Sequence, residues 1–129
     1  MKAFSSLIVL FLAASILFPT PTLAKVVRSG VPTIVARFGS WNYYCQQAGF
    51  VTISKLSVDH GTVQIRKRVP VKIGGKVARG SAYGCVGKTV KGVAIVYTSN
   101  RGYRGKDKVR FRVTFERKWN DIVLDVNVK

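Results

Sequence analysis

One histidine, two cysteines and five acidic residues are all that this chain offers to acid–base, thiol or metal chemistry. Each scarcity removes a class of function. With His60 alone, neither a two-histidine nuclease centre nor a histidine-rich metal site can be assembled within one chain. Asp59 stands beside it, but neighbouring side chains of an extended segment point to opposite faces, and His60-Gly61 reads as a turn before Val63. The acids Asp59, Asp107, Glu116, Asp121 and Asp125 are scattered among cations, whereas a calcium site needs several convergent oxygens. Neither a metal nor another cofactor is expected. Heptads, helical repeats and low-complexity tracts are also missing beyond residue 25, so neither a coiled coil nor a solenoid is encoded.

The long apolar runs stop early. Lys2 precedes an uncharged stretch, Leu7 to Phe18, which Pro19 and Pro21 terminate before Thr22-Leu23-Ala24. Twelve apolar residues are too few to cross a hydrocarbon core of about 30 Å. The order of charge, apolar run and small residues reads as a secretory signal peptide over residues 1–24, cut after Ala24. Residues 25–129 are then expected to form one domain, exported to a periplasmic or extracellular space. Such a compartment is oxidising, and the only two cysteines, Cys45 and Cys85, allow one pairing. A catalytic thiol is the other reading, but no second histidine or carboxylate cluster accompanies either cysteine.

What the chain has in excess is positive charge. Lys and Arg number 22 against five acids, a net +17; without Lys2 the count is 21 against five, or +16. A field of that sign attracts polyanions: cell-surface polymers, anionic lipid head groups or nucleic acid.

The second abundance is period-two alternation. Val63 and Ile65, then Val69, Val71 and Ile73, then Val93, Ile95 and Tyr97 fall on alternate positions. So do Val109, Phe111, Val113 and Phe115, and finally Ile122, Leu124, Val126 and Val128. Each run has one apolar side for a core, and Gly or Asn separates the runs, a pattern that predicts an antiparallel β-sandwich or barrel. Pro70 lacks a ladder donor, so its strand is expected at an edge or at a bulge. The last two runs read as a hairpin turning near Trp119-Asn120. Pairing Val113 with Val126 would set Phe115 against Leu124 and Asp125 diagonal to Arg112.

HGTVQI at 60–65, GCVG at 84–87, GVAIVYT at 92–98 and GYRGKDKVRFRV at 102–113 occur in that order. Together they resemble the Ig-like, cadherin-like domains of bacterial exported proteins, which read roughly HGTV, a strand ending in tyrosine, then G-Y-x-G-x-D and an alternating strand. Residues before Gly49 lie outside the likeness. The resemblance implies an Ig-like sandwich, stapled here by Cys45–Cys85. It implies no inherited ligand, because Val109 stands at a usually aromatic position and Lys108, Arg110 and Arg112 at usual hydroxyl positions.

Within this frame Asp107 is expected to accept backbone hydrogen bonds in the G-Y-x-G-x-D turn, with Tyr103 packed over it. AYGCVGKT at 82–89 fits a loose phosphate-loop pattern, but the following VKGVAIVYT reads as a strand where that loop needs a helix. Two cationic groups are the candidate anion sites. Lys106, Lys108, Arg110 and Arg112 share one parity and so one strand face, extended by Arg101 and Arg104 before it and Arg117-Lys118 after it. Arg66-Lys67-Arg68 is the second, with Lys72, Lys76 and Arg79 beyond. Readout of single strands would add exposed aromatics, and none shares the basic parity of residues 108–115. The expectation is a noncatalytic binding module for a polyanion, against a small secreted nuclease-like hydrolase or a cationic membrane-active protein. A solvated strand face and a guard against edge pairing are the purely structural explanations for the same charge.

Overall fold

The computed structural model describes residues 24–74, 84–116 and 118–129. The leader expected at 1–24 lies outside them except for Ala24, as do Lys76, Arg79 and Arg117. Each alternating run becomes a strand because extended backbone puts its apolar residues on one side, where a second sheet can bury them. In chain order the strands are β1 (Lys25–Val27), β2 (Thr33–Phe38), β3 (Val51–Val58), β4 (Gly61–Lys72), β5 (Thr89–Ser99), β6 (Gly105–Phe115) and β7 (Lys118–Val128). They form two sheets, β1-β7-β6-β3 and β2-β5-β4, packed as a sandwich.

Between the sheets lie Val109, Phe111 and Val113 of β6, Val126 and Val128 of β7, and Ile95 and Tyr97 of β5, all at most 2% exposed. Phe38 of β2 meets the rings of Phe111 and Phe115 edge-on, at centroid distances of 5.6 and 6.5 Å. Among the described residues all strand pairings are antiparallel but one: β1 runs parallel to β7, from Lys25↔Val126 to Val27↔Val128. Parallel neighbours cannot be joined by a tight turn, and nearly the whole domain separates these two.

The β6–β7 hairpin corrects the expected register. Its ladder closes at Phe115↔Lys118, so the chain turns directly after Phe115, before Trp119-Asn120, and Glu116 takes a positive φ of 48°. Val113 therefore faces Asn120, not Val126, and Asp125 faces Lys108 while Arg112 faces Asp121. Both registers keep the apolar sets together, because they differ by an even number of residues; the position of the turn decides between them.

Pro70 sits on an edge strand that is also bulged. β4 pairs only with β5, and its register slips between Lys67 and Val69, with Arg68 at φ 57°. The slip has a large consequence. Before it, Val63 and Ile65 pair with Tyr97 and Ile95, on the inner face of β5; after it, Val69 and Val71 pair with Gly92 and Val90, on the opposite face. The bulge thus turns the second half of β4's apolar set onto the outside of the sheet. There Val71, Ile73, Val90 and Cys85 form a second small core with Trp41 and Val69. The Cys45–Cys85 disulfide ties the 39–50 loop over it. Its presence is consistent with an oxidising compartment.

Candidate anion-binding site

The residue that follows the cationic turn at 101–106 is a buried carboxylate. Asp107, 3% exposed, accepts the Tyr97 hydroxyl at 2.6 Å and the backbone N–H groups of Lys108, His60 and Asp59 at 2.7, 3.2 and 3.3 Å. It accepts backbone hydrogen bonds, but none from the G-Y-x-G-x-D turn where they were expected: one donor is its neighbour Lys108, and two come from the β3–β4 turn, 47 and 48 residues away in sequence. Burial, reinforced by this carboxylate, pushes the Tyr97 hydroxyl well above the ordinary phenol range, so it stays a donor. Tyr103 donates to the Lys106 carbonyl, and its ring stacks on His60 at 4.1 Å. Arg101 and Arg104 are left exposed at this end of the sandwich, without an ion pair among the described residues.

The β6 stripe lies on the outer face of the four-stranded sheet, and it is not bare. Lys108 pairs with Asp125 at 3.5 Å, Arg110 with Asp59 at 3.5 Å, and Arg112 makes a two-pronged contact with Asp121 at 2.8 and 3.1 Å. That hydrogen bonding raises the Arg112 pKa and lowers that of Asp121. Trp119 of β7 supplies the aromatic missing from β6 itself: its ring lies 3.8 Å beneath the Arg112 guanidinium. Lys106, opposite Asn127, is the one member of the four without an ion pair among the described residues. Such exposed pairs stabilise little, yet each places a carboxylate where an incoming anion would approach.

The three-stranded sheet is different. Its strands carry Arg37, Arg66, Lys67, Arg68, Lys72 and Lys91 and not one acid. Three of the five acids serve the β6 stripe, Asp107 is buried, and Glu116 lies against Gly49. The run Arg66-Lys67-Arg68 is not one patch. Arg66 is on the outer face, across Ala94 from Arg37; Lys67 has the inward parity of Val63 and Ile65; Arg68 occupies the bulge. Arg37 and Arg66, one strand to either side of Ala94, stand about 10 Å apart at their Cα atoms. Sequence reasoning missed Arg37 and Lys91, which belong to no cationic run; counting acids strand by strand would have found them.

Lys67 and Lys91 open onto a cleft. From the Asp59-His60 turn, β3 and β4 pass to different sheets and separate, leaving about 580 Å³ between their edges. Val51 and Ile53 wall one side and Ile65 and Val93 the other, with Lys67, Arg68 and Lys91 also lining it. Gly92 keeps the β5 backbone close to β2, since a Cβ there would run into the Phe38 carbonyl. Phe50, 84% exposed, stands at this cleft, and the Tyr43–Tyr44 pair projects from the neighbouring loop.

Among the described residues no three His, Cys, Asp or Glu side chains gather where they could hold a metal ion, and no helix is long and apolar enough to cross a membrane. In the stretch resembling a phosphate loop, Cys85 is in the disulfide, and strand β5 begins at Thr89. No protein-family model, curated protein or solved structure matches this chain, so the reading of its surface rests on its own geometry.

Proposed function

We propose that the protein is a noncatalytic, exported binding module that holds a polyanionic polymer on its three-stranded sheet, chiefly through Arg37 and Arg66. One observation carries this reading: that sheet has six cations and no acid, whereas the β6 stripe, its rival, is interleaved with Asp59, Asp121 and Asp125. An anion approaching Lys108, Arg110 or Arg112 must displace a carboxylate; one approaching Arg37 and Arg66 displaces only water and counterions. Contacts of this kind hold a charged backbone without reading its sequence. The disulfide supports export, and seven strands divided four and three support the Ig-like reading of the fold.

The test is the salt dependence of binding to heparin, RNA and a teichoic-type phosphate polymer. Losing these two cationic contacts should flatten the log–log slope by roughly 1 to 2 in the Arg37→Ser/Arg66→Ser variant. Lys108→Ser/Arg110→Ser/Arg112→Ser should change it far less. The opposite ranking would return the site to β6, and turnover of any polymer would favour the hydrolase.

A further inference from the structure

We propose that the cleft between β3 and β4 binds a single-chain amphiphile ending in a phosphate monoester, with its acyl chain between the sheets and its phosphate on Lys67, Arg68 and Lys91. Three features of the cleft lead there. Its size, about 580 Å³, is that of a small-molecule site, and most of its lining is apolar in the manner of such sites. Val51, Ile53, Ile65 and Val93 continue the sandwich core to an open edge instead of closing it.

The second feature is where the lysines stand. Lys67 follows Val63 and Ile65 on the inward parity of β4 and pairs with Val93; Lys91 precedes Val93 and Ile95 on the inward parity of β5. Inward positions of a sandwich normally carry apolar side chains. A lysine there lays an apolar stem along the wall and holds its ammonium at the mouth. Neither has a carboxylate partner among the described residues, and no acid lines the cleft. An anion entering from outside therefore meets both ammonium groups without a competing carboxylate. With an arginine fork added by Arg68, the cationic set suits the several oxygens of a phosphate better than a lone carboxylate.

The third is Phe50, a ring 84% exposed at the cleft. An exposed aromatic continuous with an apolar cavity marks a surface that something apolar covers. A polymer held by the cations alone leaves the apolar walls bare, and a neutral lipid leaves the cations unpaired; an anionic amphiphile meets both needs. The bulges in β3 and β4, with Lys55 and Arg68 at positive φ, also disfavour an added strand along this edge.

Calorimetric titration of the purified, disulfide-intact protein decides it, with oleoyl lysophosphatidic acid kept below its micelle concentration. Expected is one site per chain, with glycerol phosphate and mono-oleoylglycerol each binding at least about tenfold more weakly, and oleate in between. Lys67→Ser/Lys91→Ser should weaken the lysolipid at least about tenfold, while Lys108→Ser/Arg110→Ser/Arg112→Ser leaves it unchanged. Phe50→Ser, at an exposed position, should also weaken it and serves should the double variant fail to fold. Equal binding of glycerol phosphate, or of mono-oleoylglycerol, overturns the proposal, as does equal binding of oleate for the phosphate assignment. So does the absence of binding, or indifference to both cleft variants. The inference shares the acid-free sheet with the polymer reading but does not depend on it. A protein that holds heparin and refuses the lysolipid loses the cleft alone, and the converse loses the polymer alone.

Discussion

Replacing Asp107 with Asn tests how the cationic end of the sandwich is held together, because the substitution changes almost no volume and only the hydrogen bonding. Oδ1 receives the N–H groups of Asp59 and Lys108, and Oδ2 receives the His60 N–H and the Tyr97 hydroxyl. An asparagine can present only one oxygen. With its NH2 in the Oδ2 position the Tyr97 hydroxyl can rotate and accept, but the His60 N–H then faces another donor. Flipped over, it confronts two backbone N–H groups instead. One stranded donor costs about 1–3 kcal/mol, and the remaining bonds lose their charge assistance, so Asp107→Asn should cost roughly 2–4 kcal/mol. Tyr97→Phe removes a single bond to a charged acceptor and should cost about 1.5–3 kcal/mol. The double variant should fall short of the sum by about 1 kcal/mol or more, since both act on one contact. Urea denaturation of the disulfide-intact protein measures all three. Asp107→Asn within about 0.5 kcal/mol of the wild type, or strict additivity with Tyr97→Phe, would refute the network as the clamp between the β3–β4 turn and β6.

The same tyrosine predicts an alkaline limit. Its folded pKa is raised above the ordinary value of 10.0, so its contribution is intact below about pH 10 and is lost progressively as pH climbs toward the folded value. Tyr97→Phe should remove that part of the decline in denaturant melts above pH 10. At the acid end, Asp121 is held below its ordinary value by Arg112, so its contribution is present above about pH 4 and lost as pH falls through the folded pKa. Asp121→Asn should shallow the acid limb at low salt and make little difference at high salt, where an exposed pair is screened. Phe111→Ala, at a side chain 2% exposed, should cost about 3–5 kcal/mol, whereas Arg110→Ala should stay within about 0.5 kcal/mol; reversed ranking in urea melts would contradict the facing of β6. Thiol titration should find no free thiol before reduction, and reducing Cys45–Cys85, which spans 40 residues, should remove up to about 4 kcal/mol and lower the Tm.

Much of this architecture could be read before any coordinates. Alternation along 109–115 and 122–128 identified which residues face the core, and Val109, Phe111, Val113 and Val126 are buried accordingly. Pro70 announced an edge or a bulge, and its strand has both. The two cysteines had only each other. The candidate site was less legible. The cationic parity of β6 was correct, but the acids that answer it arrive from β7 and from the β3–β4 turn, and the hairpin register decides which acid meets which cation. Asp125 reached Lys108 and left Arg112 to Asp121 because the turn closed earlier than Trp119-Asn120.

Sequence alone thus determined strands β4 to β7, the buried faces of β5, β6 and β7, the disulfide and the sign of the charge, because side-chain alternation and composition are properties of the chain itself; β1, β2 and β3 carried no alternation that the sequence reading picked out. Tertiary structure decided everything that depends on what stands opposite. An even slip in register preserves every face and changes every partner. A single bulged residue, Arg68, sent one half of β4's apolar set inward and the other outward, which built a second core on the back of the sheet. The divergence of β3 from β4 opened the cleft, and the distribution of five acids left the three-stranded sheet with none. Opposition between strands is set by turns, bulges and packing, which are global, and no local pattern of residues encodes it.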